Sequence, residues 1–184
     1  MNGRDRILAA SGHFFGRRPY VEVSIAPILA EAEVQPPTLY HHFGDKEGLY
    51  VAWAHLAFAP LRTQLRIQRG ATLEESLIAY AAIYFMMSGI DIQQVVRDIE
   101  GLTRDSSKEA VYGSYFEAIY EPLCAILIEG MDSGRLPQEA VGRLADLFLA
   151  GLNALSAHAD KDSAGTAAWF VQRYLHGHRR SIGS

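Results

Sequence analysis

The chain has 184 residues, enough to bury a substantial apolar core, and its 49% hydrophobic and 21% charged residues exclude a disordered protein. Cys124 is the single cysteine, which excludes an intramolecular disulfide, and charged residues close behind Met1 replace an apolar signal core, so we expect a cytoplasmic protein. The net charge is −4, with five Lys or Arg against six Asp or Glu in residues 1–50, and does not by itself indicate a nucleic-acid partner.

Two helices are predicted before residue 33. Apolar residues follow helical spacing over residues 4–18, and Pro19 ends the pattern. Ser24 can then cap a short helix over about residues 25–32, whose apolar residues share one face. Pro27 lies in the first turn of that helix, where its missing N–H removes a donor that has no intrahelical partner.

A third short helix and a long fourth helix follow. Residues 35–37 are Gln-Pro-Pro, which suits a helix N-cap and first turn, and Leu39 and Phe43 stand four residues apart on one apolar side. Gly44 ends the third helix, and Asp45 caps a fourth that continues to about residue 69. Three short helices thus lead into a long one.

The remainder of the chain is predicted to be entirely helical. Caps at Thr72, Asp91 and Ser106 or Ser107 begin helices to about residues 89, 103 and 131, and a turn over 132–137 precedes helices over about 141–155 and 167–175. The longest uncharged run, residues 76–90, spans roughly 22 Å as a helix against roughly 30 Å of bilayer hydrocarbon, so we expect no membrane partner. The fold class is all-α, with about nine helices.

Residues 25–50 have the pattern of a helix-turn-helix. The second helix is apolar only at Leu39 and Phe43, so its other faces carry polar and aromatic groups. A helix of this kind fits the major groove of B-DNA, where its first residues reach base edges and its flanks meet phosphates. Gln35 can pair with adenine, the two prolines after it can pack on thymine methyls, and Lys46 can donate to phosphate oxygens.

The segment PTLYHHFGDKEGLY, residues 37–50, resembles the signature of the tetracycline-repressor (TetR) family, and the resemblance covers residues 5–50 closely. It implies that Gln35, Pro36, Pro37 and Tyr40 face bases, and that Ser24, Thr38, Tyr40, His42 and Lys46 face phosphates, with His41 beside them in the DNA-binding set. Two residues depart from the family pattern. Glu33 replaces the usual turn glycine, and Ala26 replaces a polar residue that often reaches DNA.

The resemblance also implies two domains with different functions. Residues 1–46 would form the DNA-binding domain, and residues 47–184 the domain that binds an effector and dimerises. The expected function is a repressor released from a palindromic operator by an apolar or aromatic small molecule. No cofactor is expected.

Aromatic and methionine side chains cluster in the predicted central helices. Such a set is more often ordinary core than a pocket, yet buried tyrosine hydroxyls need partners, which a cavity with water or ligand would supply. The predicted effector-binding set is Tyr84, Met87, Tyr112, Tyr115, Phe116 and Tyr120.

The helix predicted over residues 141–155 carries more apolar surface than one side of a bundle requires. A second copy of the chain would cover that surface, with the last helix supplying the other half of a two-fold contact. The predicted homodimer interface comprises Leu144, Phe148, Gly151, Leu152, Leu155, Phe170, Val171 and Tyr174.

Other classes of function find weaker support. His41 and His42 are adjacent, so they point roughly 100° apart on a helix, and no cysteine or carboxylate stands at metal-ligand spacing from them. No phosphate-binding glycine loop or nucleophile elbow indicates an enzyme. A helical protein-interaction module that keeps the helix-turn-helix without reading DNA stays open, because residues 1–50 are slightly acidic.

Overall fold

A computed structural model describes residues 1–67, 70, 72–86, 90–159 and 162–177, and within these ranges it contains helices and no strand. The α-helices are α1 Gly3–Ser11, α2 Ile25–Ala32, α3 Pro36–Phe43, α4 Lys46–Ile67, α5 Leu73–Phe85, α6 Ile92–Glu100, α7 Asp105–Tyr115, α8 Glu121–Asp132, α9 Val141–Ala159 and α10 Ser163–His176. A π-helical turn, Phe116–Tyr120, joins α7 to α8 without a break. Counted as one helix, the joined pair brings the described helices to nine, and the all-α prediction is confirmed.

The helices form two compact units. The first unit comprises Met1–Pro60 and Gly89–Phe116, and therefore contains α1 to α3, the start of α4, α6 and α7. The second unit comprises Leu61–Ser88 and Glu117–Ser184. The predicted boundary at residue 46, as a division between DNA-binding and effector-binding segments, stays a prediction. None of the described helices is long and apolar enough to cross a membrane.

An aromatic cluster forms the core of the first unit. Phe15 is fully buried, and its ring centroid lies 5.0 Å from that of Tyr50 and 5.6 Å from that of Trp53. Leu39 is also fully buried, so α3 packs on this core through the apolar side that the sequence predicts. Phe43 is only half buried and carries the Arg4 guanidinium over its ring, at 5.7 Å from the centroid.

The first helix is shorter than its apolar pattern predicts. It ends at Ser11, whose hydroxyl bonds back to the Leu8 carbonyl, and the chain continues in turns to Gly16, which has a φ of 78°. A positive φ is accessible to glycine at little cost, so the turn ends the helix well before Arg18. The predicted ends of α2 and α3 are confirmed.

The second unit is built around α5, α8, α9 and α10. Phe148 of α9 is fully buried, and its ring centroid lies 5.0 Å from that of Phe170, 4.9 Å from that of Tyr174 and 6.0 Å from that of Tyr80. Tyr80 also donates a hydrogen bond of 2.7 Å to the Ile119 carbonyl, within the π-helical turn. Aromatic packing between α5, α9 and α10 therefore closes this core.

Several residues predicted to meet a partner subunit instead fill this core. Phe148, Leu152 and Val171 have no exposed surface in the single chain, and Phe170 is 9% exposed. A side chain on Gly151 would collide with the Phe170 ring, at 2.3 Å from its nearest atom. Leu144, Leu155 and Tyr174 are half buried, and the Tyr174 hydroxyl donates to the Leu144 carbonyl. The apolar surface that α9 and α10 expose is carried by Leu147 and Trp169, at 63% and 51%.

Candidate nucleic-acid interface

Local capping sets the geometry of the helix-turn-helix. The Ser24 side chain accepts a hydrogen bond from the Ala26 N–H at 3.4 Å and so begins α2. Gln35 is the N-cap of α3, with prolines in the first turn, and Gly44 ends α3 with a φ of 77°. Because both ends of α3 are fixed by residue type, the helix is only two turns long and its exposed side is well defined.

The exposed side of α3 carries the predicted DNA-binding residues. Ser24 at the start of α2 is exposed, as are Gln35 at the N-cap of α3 and Pro36, Pro37, Tyr40, His41 and His42. Thr38 is half buried, with its methyl group near Gly3 of α1. Tyr40 exposes 55% of its surface while neighbouring Leu39 exposes none, so the turn of roughly 100° between adjacent positions takes the chain from the buried face of α3 to its exposed face. Their contacts with DNA stay a prediction.

Lys46 is held more closely than a freely moving surface lysine. Its Nζ lies 4.2 Å from the centroid of the Tyr20 ring, a cation–π contact, and the side chain is half buried. Burial lowers the pKa of Lys46, an effect that the nearby negative charge of Asp98 opposes. The predicted phosphate contact would therefore start from an ordered ammonium group.

Glu33, where the family pattern has glycine, adopts the left-handed conformation that the glycine would favour. Its φ is 53° and its ψ is 45°, and among the described residues it is the one non-glycine with positive φ. Its carboxylate lies 4.0 Å from Arg6 but is 86% exposed, so this ion pair adds little. The turn between α2 and α3 thus carries backbone strain on the order of 1 kcal/mol.

Glu33→Gly is expected to raise the stability of the protein by up to about 1 kcal/mol, because glycine adopts positive φ without strain. The matched control is Glu31→Gly, which removes the same charge two residues earlier but places glycine within α2. That control should lower stability by roughly 1 kcal/mol. Urea unfolding at pH 7 measures both, and two changes of the same sign would contradict the assignment of strain to residue 33.

A buried carboxylate at the start of α4 caps the start of α7. Glu47, 6% exposed, accepts hydrogen bonds from the Thr103 N–H at 3.0 Å, the Thr103 hydroxyl at 2.6 Å and the Arg104 N–H at 2.9 Å. Burial raises the pKa of Glu47, but these hydrogen bonds outweigh it and bring the value to about 2. Glu47 is therefore ionised and satisfies backbone N–H groups that α7 itself leaves unpaired.

A second buried carboxylate, Asp98 of α6, ties that helix to the N-terminal helices. It accepts hydrogen bonds from the Tyr20 N–H at 2.9 Å, the Tyr50 hydroxyl at 3.0 Å and the Gln94 side chain at 2.7 Å. Burial, together with the adjacent Asp98 charge, raises the pKa of Tyr50, which keeps the phenol protonated as a donor. Because of these bonds α6 belongs to the compact unit that carries the helix-turn-helix.

The predicted effector residues are divided between the two units. In the first, Tyr112 exposes 54% of its surface, and its ring centroid lies 6.3 Å from that of Tyr115 and 6.1 Å from that of Phe116. In the second, Tyr84 is buried and donates to the Asn153 side chain, and the Tyr120 hydroxyl lies 3.1 Å from Asp146. Met87 lies outside the described residues.

Two of these observations change the expectation from sequence. Tyr112 was expected to be buried and is not. The hydroxyls of Tyr84 and Tyr120 form hydrogen bonds with Asn153 and Asp146, so these two groups do not require a water molecule or a ligand as a partner. The rings of His41 and His42 lie 4.9 Å apart, and no group of three metal-ligating side chains occurs among the described residues.

The model of the tetR family of bacterial regulatory proteins matches residues 7–53. This segment contains the whole helix-turn-helix and the start of α4 with Lys46 and Glu47. A comparison with curated protein sequences gives no match.

Solved structures extend the likeness over nearly the whole chain. The fatty acid degradation regulator FadR from Bacillus halodurans is 18% identical with a TM-score of 0.74, and covers 95% of this chain and 99% of its own. The Bacillus subtilis regulator FadR, in complex with stearoyl-CoA, is 16% identical with a TM-score of 0.75 and the same coverage. PfmR from Thermus thermophilus, a TetR-family regulator, is 22% identical with a TM-score of 0.69, and covers 96% of this chain and 100% of its own. At these identities the likeness concerns the fold.

Proposed function

We propose that this chain is a regulator of the tetR family, which its residues 7–53 and its fold resemble, and that it represses transcription from a palindromic DNA operator until an apolar or aromatic small molecule releases it. The observation that carries the proposal is the exposed side of α3. Together with the N-cap glutamine, it presents two prolines, a tyrosine and two histidines to solvent, while Leu39 on the inner face is fully buried.

These side chains suit the two tasks of a DNA-reading helix. Gln35 at the N-cap offers an amide that can bond two atoms of adenine, and Pro36 and Pro37 offer apolar rings for thymine methyls. Tyr40 and His42, which lie two positions apart and flank the buried face of α3, can donate to phosphate oxygens on either side of the helix. An exposed structural helix would not need this concentration of aromatic and imidazole groups.

The proposed effector is an apolar or aromatic molecule. Support comes from the aromatic set Tyr112, Tyr115 and Phe116 of the first unit, none of which is fully buried, and from the acyl-CoA complex of the structurally similar Bacillus subtilis regulator. A homodimer is part of the same proposal, with the exposed Leu147 and Trp169 of α9 and α10 as the apolar surface that a second copy would cover.

Selection of bound sequences from random double-stranded DNA tests this function. A dimer with two reading heads should enrich palindromes whose half-sites lie about one helical turn apart. Enrichment of no sequence by folded protein would favour the alternative, a helix-turn-helix that contacts proteins. The slightly acidic balance of residues 1–50 is the observation that favours the alternative.

Tyr40→Ala is expected to weaken specific binding by roughly 1 to 3 kcal/mol, the scale of one good base contact, and to leave folding nearly unchanged because the side chain is 55% exposed. The matched control is Leu56→Ala, which removes a large side chain of nearly equal exposure, 53%, from α4 and should leave DNA affinity unchanged. Fluorescence anisotropy with the selected operator measures both. Equal affinity of the two variants would remove Tyr40 from the proposed interface.

A further inference from the structure

Two carboxylates flank the lysine that is proposed to contact phosphate. Asp45 and Glu47 stand on either side of Lys46 at the start of α4, directly after the helix proposed to read DNA. Negative charges within a Debye length of about 8 Å oppose the approach of a phosphate backbone. Taken alone, this segment carries more negative than positive charge, which is unsuited to its proposed place against DNA.

A cation from elsewhere in the first unit lies against both carboxylates. The Arg104 guanidinium donates to Asp45 through two nitrogens, at 2.7 and 2.9 Å, and its Nε lies 3.3 Å from the Glu47 carboxylate. The Arg104 backbone N–H also donates to Glu47, at 2.9 Å. Paired bonds of this kind fix the relative orientation of the two planar groups as well as their separation.

Asp45 has a structural task besides carrying charge. Its carboxylate accepts a hydrogen bond of 2.8 Å from the Gly48 N–H and so caps α4. The hydrogen bonds from Arg104 lower the pKa of Asp45, outweighing its partial burial, so both members of the pair are charged at neutral pH. The cap of α4 is therefore occupied by a carboxylate whose charge Arg104 offsets.

We infer that Arg104, although it lies outside the helix-turn-helix, is a positioning residue for DNA binding: its positive charge balances the net charge of −1 on Asp45, Lys46 and Glu47, and its hydrogen bonds hold the capped start of α4 in place. The inference rests on the proposed DNA-binding function. By this inference, Arg104 at the N-cap of α7 raises the affinity for DNA although it does not itself contact DNA.

The first test is Arg104→Gln, compared with Arg97→Gln on α6, which removes the same charge from a pair with Asp91 at 3.6 Å. Arg104→Gln should weaken operator binding on the order of tenfold at low salt and lower the magnitude of the salt slope by less than the one unit expected for a lost phosphate contact. Arg97→Gln should change neither. Affinities are measured by anisotropy over a range of salt concentrations, with the folded fraction of each variant checked by circular dichroism.

The second test is rescue by a neutral cap. Asn at residue 45 can still accept the Gly48 N–H bond but carries no charge, so Asp45→Asn should leave α4 capped. Alone, it should tighten DNA binding, because the Arg104 charge is then less fully offset. Combined with Arg104→Gln, it should restore most of the lost affinity and the salt slope. If Arg104→Gln weakens DNA binding only because the Arg104 contacts are lost, adding Asp45→Asn will not restore the affinity.

The outcomes separate the two levels of the proposal. A wild-type protein that is folded but binds no DNA specifically would overturn the proposed function. A wild-type protein that binds its operator, with Arg104→Gln equal to Arg97→Gln, would overturn the role of Arg104 alone. If Arg104→Gln does not fold, Asp45→Asn decides: tighter binding with a steeper salt slope supports the inference, and unchanged or weaker binding contradicts it.

Discussion

Phe148→Ala should destabilise the protein by about 3 to 5 kcal/mol, the cost of removing a fully buried aromatic ring and leaving a cavity. The ring lies against Tyr80, Phe170 and Tyr174, which come from α5 and α10, so its loss removes contacts between three helices at once. Partial collapse of the site would reduce the cost toward the lower value. Urea unfolding followed by circular dichroism measures the change.

The control for this variant is Leu147→Ala, one residue earlier on α9 and 63% exposed. It should change the free energy of unfolding of the isolated subunit by less than about 1 kcal/mol, since little of the side chain leaves water on folding. A small effect of Phe148→Ala on the free energy of unfolding would contradict the placement of Phe148 in the core. A large effect of Leu147→Ala that depends on protein concentration would still be consistent with a dimer.

Helix ends were predictable where a single residue type decides them. Ser24, Gly44 and Thr72 cap or end helices as their chemistry requires, so α2, α3 and the start of α5 were found from the sequence. The end of α1 was not, because Phe14 and Phe15 continue the helical spacing while the chain already turns. Apolar spacing records which residues are buried and not whether the backbone between them remains helical.

The sequence also could not predict which face of α9 is buried within the single chain. Apolar residues occupy more than one side of this helix, and only the positions of α5 and α10 decide which side becomes core. The sequence therefore predicts Phe148 and Leu152 at a partner interface, whereas in the single chain they are fully buried. Leu147, one residue away, is the exposed one.

The charged contacts at the start of α4 could not be predicted for a different reason. Glu47 meets Thr103 and Arg104, and Tyr50 meets Asp98, over about 50 residues or more of intervening chain. No local pattern pairs groups at such a separation. The sequence predicts Lys46 as a DNA contact and Asp45 as the cap of α4, but it indicates no role for Glu47.

Glu47→Gln should lower the stability of the protein by about 3 kcal/mol at pH 7, because the folded-state pKa of about 2 lies well below the ordinary value of 4.5. The glutamine side chain is neutral, and its NH2 group is a donor. It cannot accept the hydrogen bonds that Thr103 or Arg104 gives to the carboxylate oxygen of Glu47 that it replaces. The control is Glu109→Gln on α7, an exposed side chain, whose effect should stay within about 0.5 kcal/mol.

The pH dependence identifies the source of this effect. Since the folded-state pKa is depressed, the ionised carboxylate contributes its full stabilisation above about pH 4.5, and the contribution is lost as the pH falls through about 2. The difference between wild type and Glu47→Gln should therefore be constant from pH 7 to pH 5 and should shrink as the pH falls further. Urea unfolding at several values between pH 7 and pH 3 measures it. A difference that does not change over this range would show that Glu47 acts through shape and not through its charge.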